Sequence, residues 1–380
     1  MDAASWRPHA GNVAPRPLTS NRTPLGTWRI LTIGASLALG GALLATLVVA
    51  AGSPELALDF REAYLPAAQS LLDVGSPYAV NESSPDGISG AYLYPPQLAF
   101  ALVPLTVLST DVAAFVAFLT ALAALMGALA LLGVRDIRCF AILLVWAPAW
   151  QALQMANVSA LLVLALALVW RYHDHTWRSG AVLGVAASLK LFLLPLILWA
   201  IASRRPRMAV FAVAVGLSVT IVSWAAIGFD GLTAYPDLLR SVGEQPSYSI
   251  GAVVENLGYA PVVGYVLTSA MGWTLLGLAV ILARRGDDVR AFTLAIAAAL
   301  ALTPILWWHY LALLIVPLAL TRPRFSPIWL LPIAIWLVRL GAGDGVESAL
   351  PLLVAALFFA VILIRPVPSR LIARTQPLQS

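Results

Sequence analysis

"WRILTIGASLALGGALLATLVVAAGSPELALDFREAY" (28–64) decides the fold. After Arg29 no charge appears until Glu55, and then Asp59, Arg61 and Glu62 follow within four residues. About 20 apolar residues are needed to cross roughly 30 Å of hydrocarbon. The run from Trp28 to Ala51 meets that length, and it exceeds the roughly 7–15 apolar residues of a cleaved signal. The stretch therefore reads as a membrane span with a charged cluster at its mouth. Residues 56–75, "LALDFREAYLPAAQSLLDVG", mix apolar and charged positions as a helix lying along a membrane surface does.

The whole chain agrees with that reading. Of its 380 residues 61% are hydrophobic and only 11% charged, whereas soluble domains carry about 25% charged residues. The formal charge of +5 does not point to nucleic acid, because the basic residues sit in short clusters between apolar runs. A single cysteine, Cys139, excludes an internal disulfide.

Long apolar runs lie at 28–51, 112–133, 208–228, 260–283 and 348–364. Shorter ones lie at 96–108, 138–152, 156–170, 178–190, 191–203, 290–303, 304–321 and 326–340. Arginine orients them, since cytoplasmic loops carry the excess of basic residues. Arg7, Arg16, Arg22 and Arg29, "RDIR" (135–138), "RYHDHTWR" (171–178), "SRRPR" (203–207), "ARRGDDVR" (283–290), "TRPRF" (321–325) and the C-terminal tail are expected inside. The acidic or neutral stretches 52–95, 229–259 and "GAGDGVES" (341–348) are expected outside. With both termini inside the crossings must be even. The short 96–108 segment, interrupted by Pro104, is therefore expected to enter without crossing, which leaves about twelve spans.

Two residues stand out against this background. Lys190, the only lysine, lies in "GVAASLKLFLLPLIL" between two apolar segments. A charge near hydrocarbon costs about 3 kcal/mol or more unless paired or hydrated. Lys190 either faces a polar cavity that holds an anion or snorkels from a turn. His309 sits in "ALTPILWWHYLALL" beside Trp307, Trp308 and Tyr310; an interfacial belt accounts for the aromatics but less well for the histidine. His173 and His175 have the look of a metal pair, but their loop offers no third ligand. No phosphate-binding loop, dinucleotide glycine pattern or nucleophile elbow occurs.

Four stretches in order resemble glycosyltransferase family 87, the polyprenol-phosphate-mannose-dependent α-(1→2)-mannosyltransferases. They are "DFREAYLPAAQSLLDVGSPY" (59–78), "YLYPPQLAFALVPLTVLS" (92–109), "GVAASLKLFLLPLIL" (184–198) and "LTPILWWHYLALLIVPL" (302–318). Where that family usually has Gly-Gln-x-Asn this chain reads "ANVS" (156–159), so Asn157 would stand for the glutamine, and Leu306 and Trp308 replace the residues usual around its Trp-x-His.

The resemblance implies an all-α, polytopic membrane protein of GT-C type: a bundle of about 12 transmembrane helices with an outer amphipathic helix after the first span. It implies a domain at 27–365 whose outer loop, 52–95, is catalytic, between cytoplasmic tails at 1–26 and 366–380. The implied reaction moves a mannosyl residue from a polyprenyl-phosphate donor to a glycolipid or glycan acceptor on the outer face of the cell membrane, with inversion. Asp59 would be the general base, and Lys190 and His309 would hold the donor phosphate. Glu62, Tyr64, Tyr92, Tyr94, Asn157 and Trp307 would contact the sugar or acceptor, with Glu62 on the solvated side of its helix. No metal or other cofactor is expected, because no second acid adjoins Asp59 in an Asp-x-Asp pair and Lys190 can serve the phosphate. Two other readings stay open: a transferase of the same fold using arabinofuranose or another hexose, and a lipid or solute transporter. The chain lacks the two related halves common among transporters.

Overall fold

The computed structural model describes residues 25–50, 56–83, 90–243, 247–338 and 346–364. The expected tails fall outside these ranges except for Leu25 and Gly26, and so do parts of the expected outer loops at 52–55, 84–89, 244–246 and 341–345. The described residues are helical, joined by turns, and contain no strand.

The first helix, α1 (Leu25–Ala50), turns Ile30, Leu37, Leu39 and Val48 outward. After a turn at Leu56 and Ala57 the chain makes a π-helical turn over Phe60–Tyr64 and runs into α2 (Leu65–Asp73). Phe60, Ala63, Tyr64, Leu65, Ala67, Ala68 and Leu71 are buried, while Gln69, Leu72 and Asp73 are exposed. Within the amphipathic stretch 56–75 the residues from 58 to 73 are thus helical, with most of their apolar side packed on the bundle. Next, α3 (Pro96–Leu102) continues as a tight 3₁₀ turn over Val103–Val107. Together they cover roughly 20 Å, short of the roughly 30 Å of a bilayer core.

Among the described residues α4 (Thr110–Leu131) is one of three helices individually long and apolar enough to cross a membrane. The sequence suggested one segment at 138–152. The structure instead has α5 (Ile137–Leu143) and α6 (Ala147–Gln154), bent by 65° to each other. Pro148 sits at the second position of α6, where its missing N–H costs nothing, so the helix restarts there. The bend is held by Trp146, fully buried, whose indole N–H donates to the Trp329 carbonyl at 2.7 Å.

The second half begins with α7 (Val158–Arg171), α8 (Thr176–Leu189), a 3₁₀ turn at Leu191–Leu193, and α9 (Pro195–Ala202). Then come α10 (Pro206–Ala226), α11 (Tyr235–Gly243), α12 (Ile250–Asn256), α13 (Pro261–Arg284) and α14 (Asp288–Leu302). The chain ends with a 3₁₀ turn over Trp308–Leu314 leading into α15 (Ile315–Thr321), a 3₁₀ stretch over Pro327–Leu337 containing Pro332, and α16 (Leu350–Ile364). The other two helices of crossing length are α10 and α13. Val210, Leu217, Ile221 and Val222 on the first, and Val262, Tyr265, Val266 and Trp273 on the second, are exposed. So large an apolar belt is stable facing hydrocarbon.

Helix direction sorts the ends of the bundle. The arginine-bearing turns gather at one end, where Arg205 pairs with Asp288 at 2.8 Å and lies 3.5 Å from Asp174. At that end Asp136 is gripped by the Arg138 fork and accepts the Phe325 N–H at 3.1 Å. The Arg138 hydrogen bonds hold its carboxyl down at about 2. His173 bonds the Trp170 carbonyl and faces Asp174 at 3.4 Å. From these turns α8, α10 and α14 run to the opposite end, and α7 returns from it.

Close contact between α8 and α10 sets the depth at which α8 ends. Gly180 and Gly184, spaced small-xxx-small, let the backbones touch: a Cβ on Gly184 would stand 2.4 Å from the Ala212 carbonyl oxygen, and one on Gly180 2.9 Å from that of Met208. Neither obstacle is a movable side chain. Gly184→Val is expected to lower the thermal midpoint of the detergent-solubilised protein by several degrees, the ordinary result of about 1–3 kcal/mol of overpacking. Gly277→Val, with nothing within 4 Å, is expected to leave it unchanged. Equal midpoints for the two variants would show that the close approach is not needed.

Candidate active site

The end of the bundle remote from the arginine turns encloses a cavity of about 600 Å³. It is walled by the 59–64 and 90–95 segments, by Asn157 ahead of α7, by the 188–192 break, by Thr220 and Trp224 of α10, and by 303–310. Asp59 and Lys190, 131 positions apart in the chain, share this one space.

Asp59 is fixed from behind. Its Oδ2 accepts the Asn157 amide at 2.5 Å and faces the Tyr64 hydroxyl at 3.4 Å. The Tyr64 hydroxyl also accepts from Asn157 at 2.9 Å and donates to the Tyr94 hydroxyl at 3.0 Å. Burial pushes the Asp59 carboxyl above the usual carboxylate range, opposed by the Asn157 bond, the Lys190 charge and the Tyr64 hydroxyl. Burial also raises Tyr64 and Tyr94 well above the ordinary phenol value, so both stay neutral hydrogen-bonding groups. Behind the carboxylate, the Ala57 N–H donates to the Gln154 carbonyl at 2.6 Å, tying the end of α6 to the turn before Asp59. Ala57 (φ 58°) and Ala156 (φ 46°) are both left-handed, a conformation that costs a residue with a Cβ roughly 1–2 kcal/mol. Such strain persists where the surrounding structure holds it, commonly at functional sites.

Lys190 occupies the break between α8 and the following turn, where the backbone is extended (φ −141°, ψ 102°). Its ammonium donates to the Tyr310 hydroxyl at 2.5 Å and stands 4.1 Å from the centre of that ring and 4.8 Å from that of Tyr94. Phe192 stacks on Tyr310 at 5.3 Å. The lysine thus points inward to an aromatic cage and does not snorkel to a distant surface.

The other candidates divide. Glu62, Tyr64, Tyr94, Asn157 and Trp307 line the cavity, with Glu62 exposed on its rim. Gly90 (φ 73°) lies against Glu62, where a Cβ would come within 3.1 Å of the Glu62 carbonyl oxygen. Tyr92 is off the wall: it is fully buried, its hydroxyl donating to the Pro95 carbonyl at 2.9 Å and accepting the Ala99 N–H at 2.8 Å. It braces the entry to α3. His309 also lies off the wall, its backbone N–H bonded to the Gln151 side chain at 3.0 Å and both ring nitrogens buried without a hydrogen-bond partner among the described residues. Its neighbour Tyr310 meets the lysine, and no feature of the sequence separated the two. Among the described residues no three His, Cys, Asp or Glu side chains cluster as metal ligands.

Arg61 belongs to the charged cluster, but its sequence context gives no sign of its partners. Its Nε donates to the Leu56 carbonyl at 2.8 Å and its Nη1 reaches Asp111 on α4 at 2.7 Å, closing the turn that presents Asp59. Tyr78, stacked on Trp224, donates to the Tyr94 carbonyl at 3.0 Å, and Tyr235 donates to the Leu93 carbonyl at 2.9 Å, holding the 90–95 wall.

A helical bundle with an apolar outer belt, enclosing a fixed carboxylate and a caged lysine in one cavity, has the build of a membrane protein. Residues 92–307, more than half of the chain, match Glycosyltransferase family 87, and the chain belongs to that family. It is 26% identical over 282 residues to a polyprenol-phosphate-mannose-dependent alpha-(1-2)-phosphatidylinositol pentamannoside mannosyltransferase of Mycobacterium tuberculosis (strain CDC 1551 / Oshkosh), covering 69% of this chain and 61% of the relative. It is 26% identical over 281 residues to the protein of the same name from Mycolicibacterium smegmatis (strain ATCC 700084 / mc(2)155), covering 69% and 64%. The chain thus spans less than two thirds of the length of either relative. No solved structure matches it.

The Arg61 contacts give a test of how Asp59 is presented. Arg61→Met removes the bond to the buried Leu56 carbonyl, whereas Asp111→Asn alters only an exposed ion pair, worth about 0–1 kcal/mol. Thermal unfolding is expected to show a clear fall for Arg61→Met and almost none for Asp111→Asn. The reverse order would place the anchor on α4 instead of in the turn.

Proposed function

We propose that the protein is a membrane mannosyltransferase that takes mannose from a polyprenyl-phosphate donor and passes it to a hydroxyl of a glycolipid acceptor at the outer face of the cell membrane. Family membership and the relatives' names support the donor and the glycolipid class of acceptor. The observation that carries the reading is the shared cavity: a carboxylate and an ammonium line the same space from separate parts of the chain.

In the proposed step, Asp59 takes the proton of the acceptor hydroxyl while the hydroxyl oxygen bonds the anomeric carbon. The bond from that carbon to the phosphate oxygen breaks on the opposite side, and the electron pair leaves with polyprenyl phosphate. A β-linked donor gives an α-linked product. Lys190, steadied by Tyr310, meets the charge that develops on the leaving phosphate, and the step needs no metal. Tyr64, Tyr94 and Trp307 face the sugar, and Glu62 at the rim faces the acceptor.

In this reading about twelve passes place both termini and the arginine turns in the cytoplasm, with the cavity outside. Reporter fusions near residue 240 are expected to report the outside, and fusions near 175 and 286 the inside. A cytoplasmic signal at 240 would put the cavity on the wrong face.

The direct experiment supplies purified protein with radiolabelled polyprenyl-phosphate mannose and a panel of phosphatidylinositol mannosides, with arabinofuranosyl and glucosyl donors in parallel. Transfer from the mannosyl donor alone is expected, and transfer from another donor alone would overturn the sugar assignment. Asp59→Asn is expected to lose at least about a hundredfold in rate, and Lys190→Met to raise the donor KM with folding retained. Because the Asp59 carboxyl lies above the usual range in the folded protein, the base is available above that value and is lost as pH falls through it. The acid limb of kcat/KM therefore falls at higher pH than an ordinary carboxylate near 3.9 would give. An acid limb at or below the ordinary range would remove Asp59 as the base.

A further inference from the structure

Asn157 enters the sequence reading as a group that touches sugar or acceptor. Its hydrogen bonds describe a different task. The side chain is 2% exposed, and both of its ends are occupied by protein. Its Oδ1 caps α7, accepting the Ser159 backbone N–H at 2.9 Å and the Ser159 hydroxyl at 2.8 Å. With the carbonyl end held by two donors, the amide end can only point the other way. There its Nδ2 donates to Asp59 Oδ2 at 2.5 Å and to the Tyr64 hydroxyl at 2.9 Å. No capacity is left over for a sugar hydroxyl.

The consequence falls on the carboxylate. Oδ2 carries the contacts to Asn157 and Tyr64, and among the described residues no donor is bonded to Oδ1. The backbone reinforces this arrangement: the left-handed Ala156 immediately precedes Asn157, and the left-handed Ala57 stands two residues before Asp59. The Ala57–Gln154 bond joins the two corners.

We infer that Asn157, oriented by Ser159, is a positioning residue: it ties up Oδ2 of Asp59 so that Oδ1 is the atom presented to the incoming hydroxyl. The inference rests on the mannosyltransferase reading for the identity of that hydroxyl, but the orientation of Asp59 does not depend on it. The same bond favours the ionised carboxylate, since a donor aimed at a buried charge offsets part of its desolvation. Ser159 takes part although it touches neither substrate nor base.

The test uses the full-length protein in detergent and two readouts. In the transfer assay Asn157→Leu, which keeps the branched outline with somewhat more bulk and has no donor, is expected to lower kcat at neutral pH by about tenfold or more, the scale of one hydrogen bond to a charged group. Its acid limb is expected to move to higher pH with the acceptor KM unchanged. Ser159→Ala, which leaves one of the two bonds to Oδ1 of Asn157, is expected to shift both quantities the same way by less. The second readout needs no turnover. Amidation of Asp59 by a water-soluble carbodiimide with glycinamide, followed by peptide mass spectrometry across pH, reports the protonated carboxyl. Its midpoint is expected to rise in Asn157→Leu, with Ser159→Ala between that variant and wild type.

A rise in acceptor KM with an unmoved acid limb and an unmoved amidation midpoint would make Asn157 an acceptor contact and overturn the inference. If wild type transfers no mannose but the midpoint moves as described, the proposed function fails while the positioning of Asp59 stands. If Asn157→Leu does not fold, the Ser159→Ala midpoint decides alone, and an unchanged value overturns the inference.

Discussion

A carboxylate withdrawn from water must be compensated by its surroundings, and the site is organised around that requirement at Asp59. Tyr64 comes from the same turn as Asp59, but the other partners come from distant parts of the chain. Asn157 arrives at the start of α7 and the Lys190 charge from the break after α8, while Tyr94 of the 90–95 segment holds the Tyr64 hydroxyl. The bundle must therefore bring residues 59, 94, 157 and 190 to one end, and the packing of its helices follows from that. The touching backbones of α8 and α10 set the depth of Lys190. The Arg61 bonds and the Ala57–Gln154 bond set the depth of Asp59.

Much of this was legible in the sequence, for physical reasons. Apolar composition fixes the solvent, and arginine clusters fix the ends of helices because charges cannot enter hydrocarbon freely. The turns at 135–138, 171–178, 203–207, 283–290 and 321–325 contact one another in pairs at the end away from the cavity. Lys190 was conspicuous for the same reason: a lone ammonium in an apolar context needs an explanation, and the helix breaks where it stands.

What escaped the sequence depends on direction and distance, which periodicity does not carry. His309 drew attention as a titratable group, yet the 3₁₀ turn aims Tyr310 at the lysine and leaves the imidazole behind the wall. Tyr92 shares a motif with Tyr94 but spends its hydroxyl on the backbone of its own turn. The 138–152 run counted as one segment because a proline at the second position of a helix looks, in sequence, like one in the middle. The small-xxx-small pair at 180 and 184 was readable in principle, since that spacing has one common use between apolar helices.

The antiparallel α7–α8 hairpin has a consequence in the field it sets up. A helix carries about half a positive charge at its N-terminus and half a negative one at its C-terminus. The N-terminus of α7 begins at Asn157, beside the Asp59 carboxylate, and the C-terminus of α8 ends at Lys190. One hairpin thus presents its positive pole to the anion and its negative pole to the cation, across the same chamber. The backbone alone polarises the space between them along the line from Asp59 to Lys190. Because that polarity belongs to peptide units fixed before any substrate arrives, it requires no reorganisation when charge begins to move.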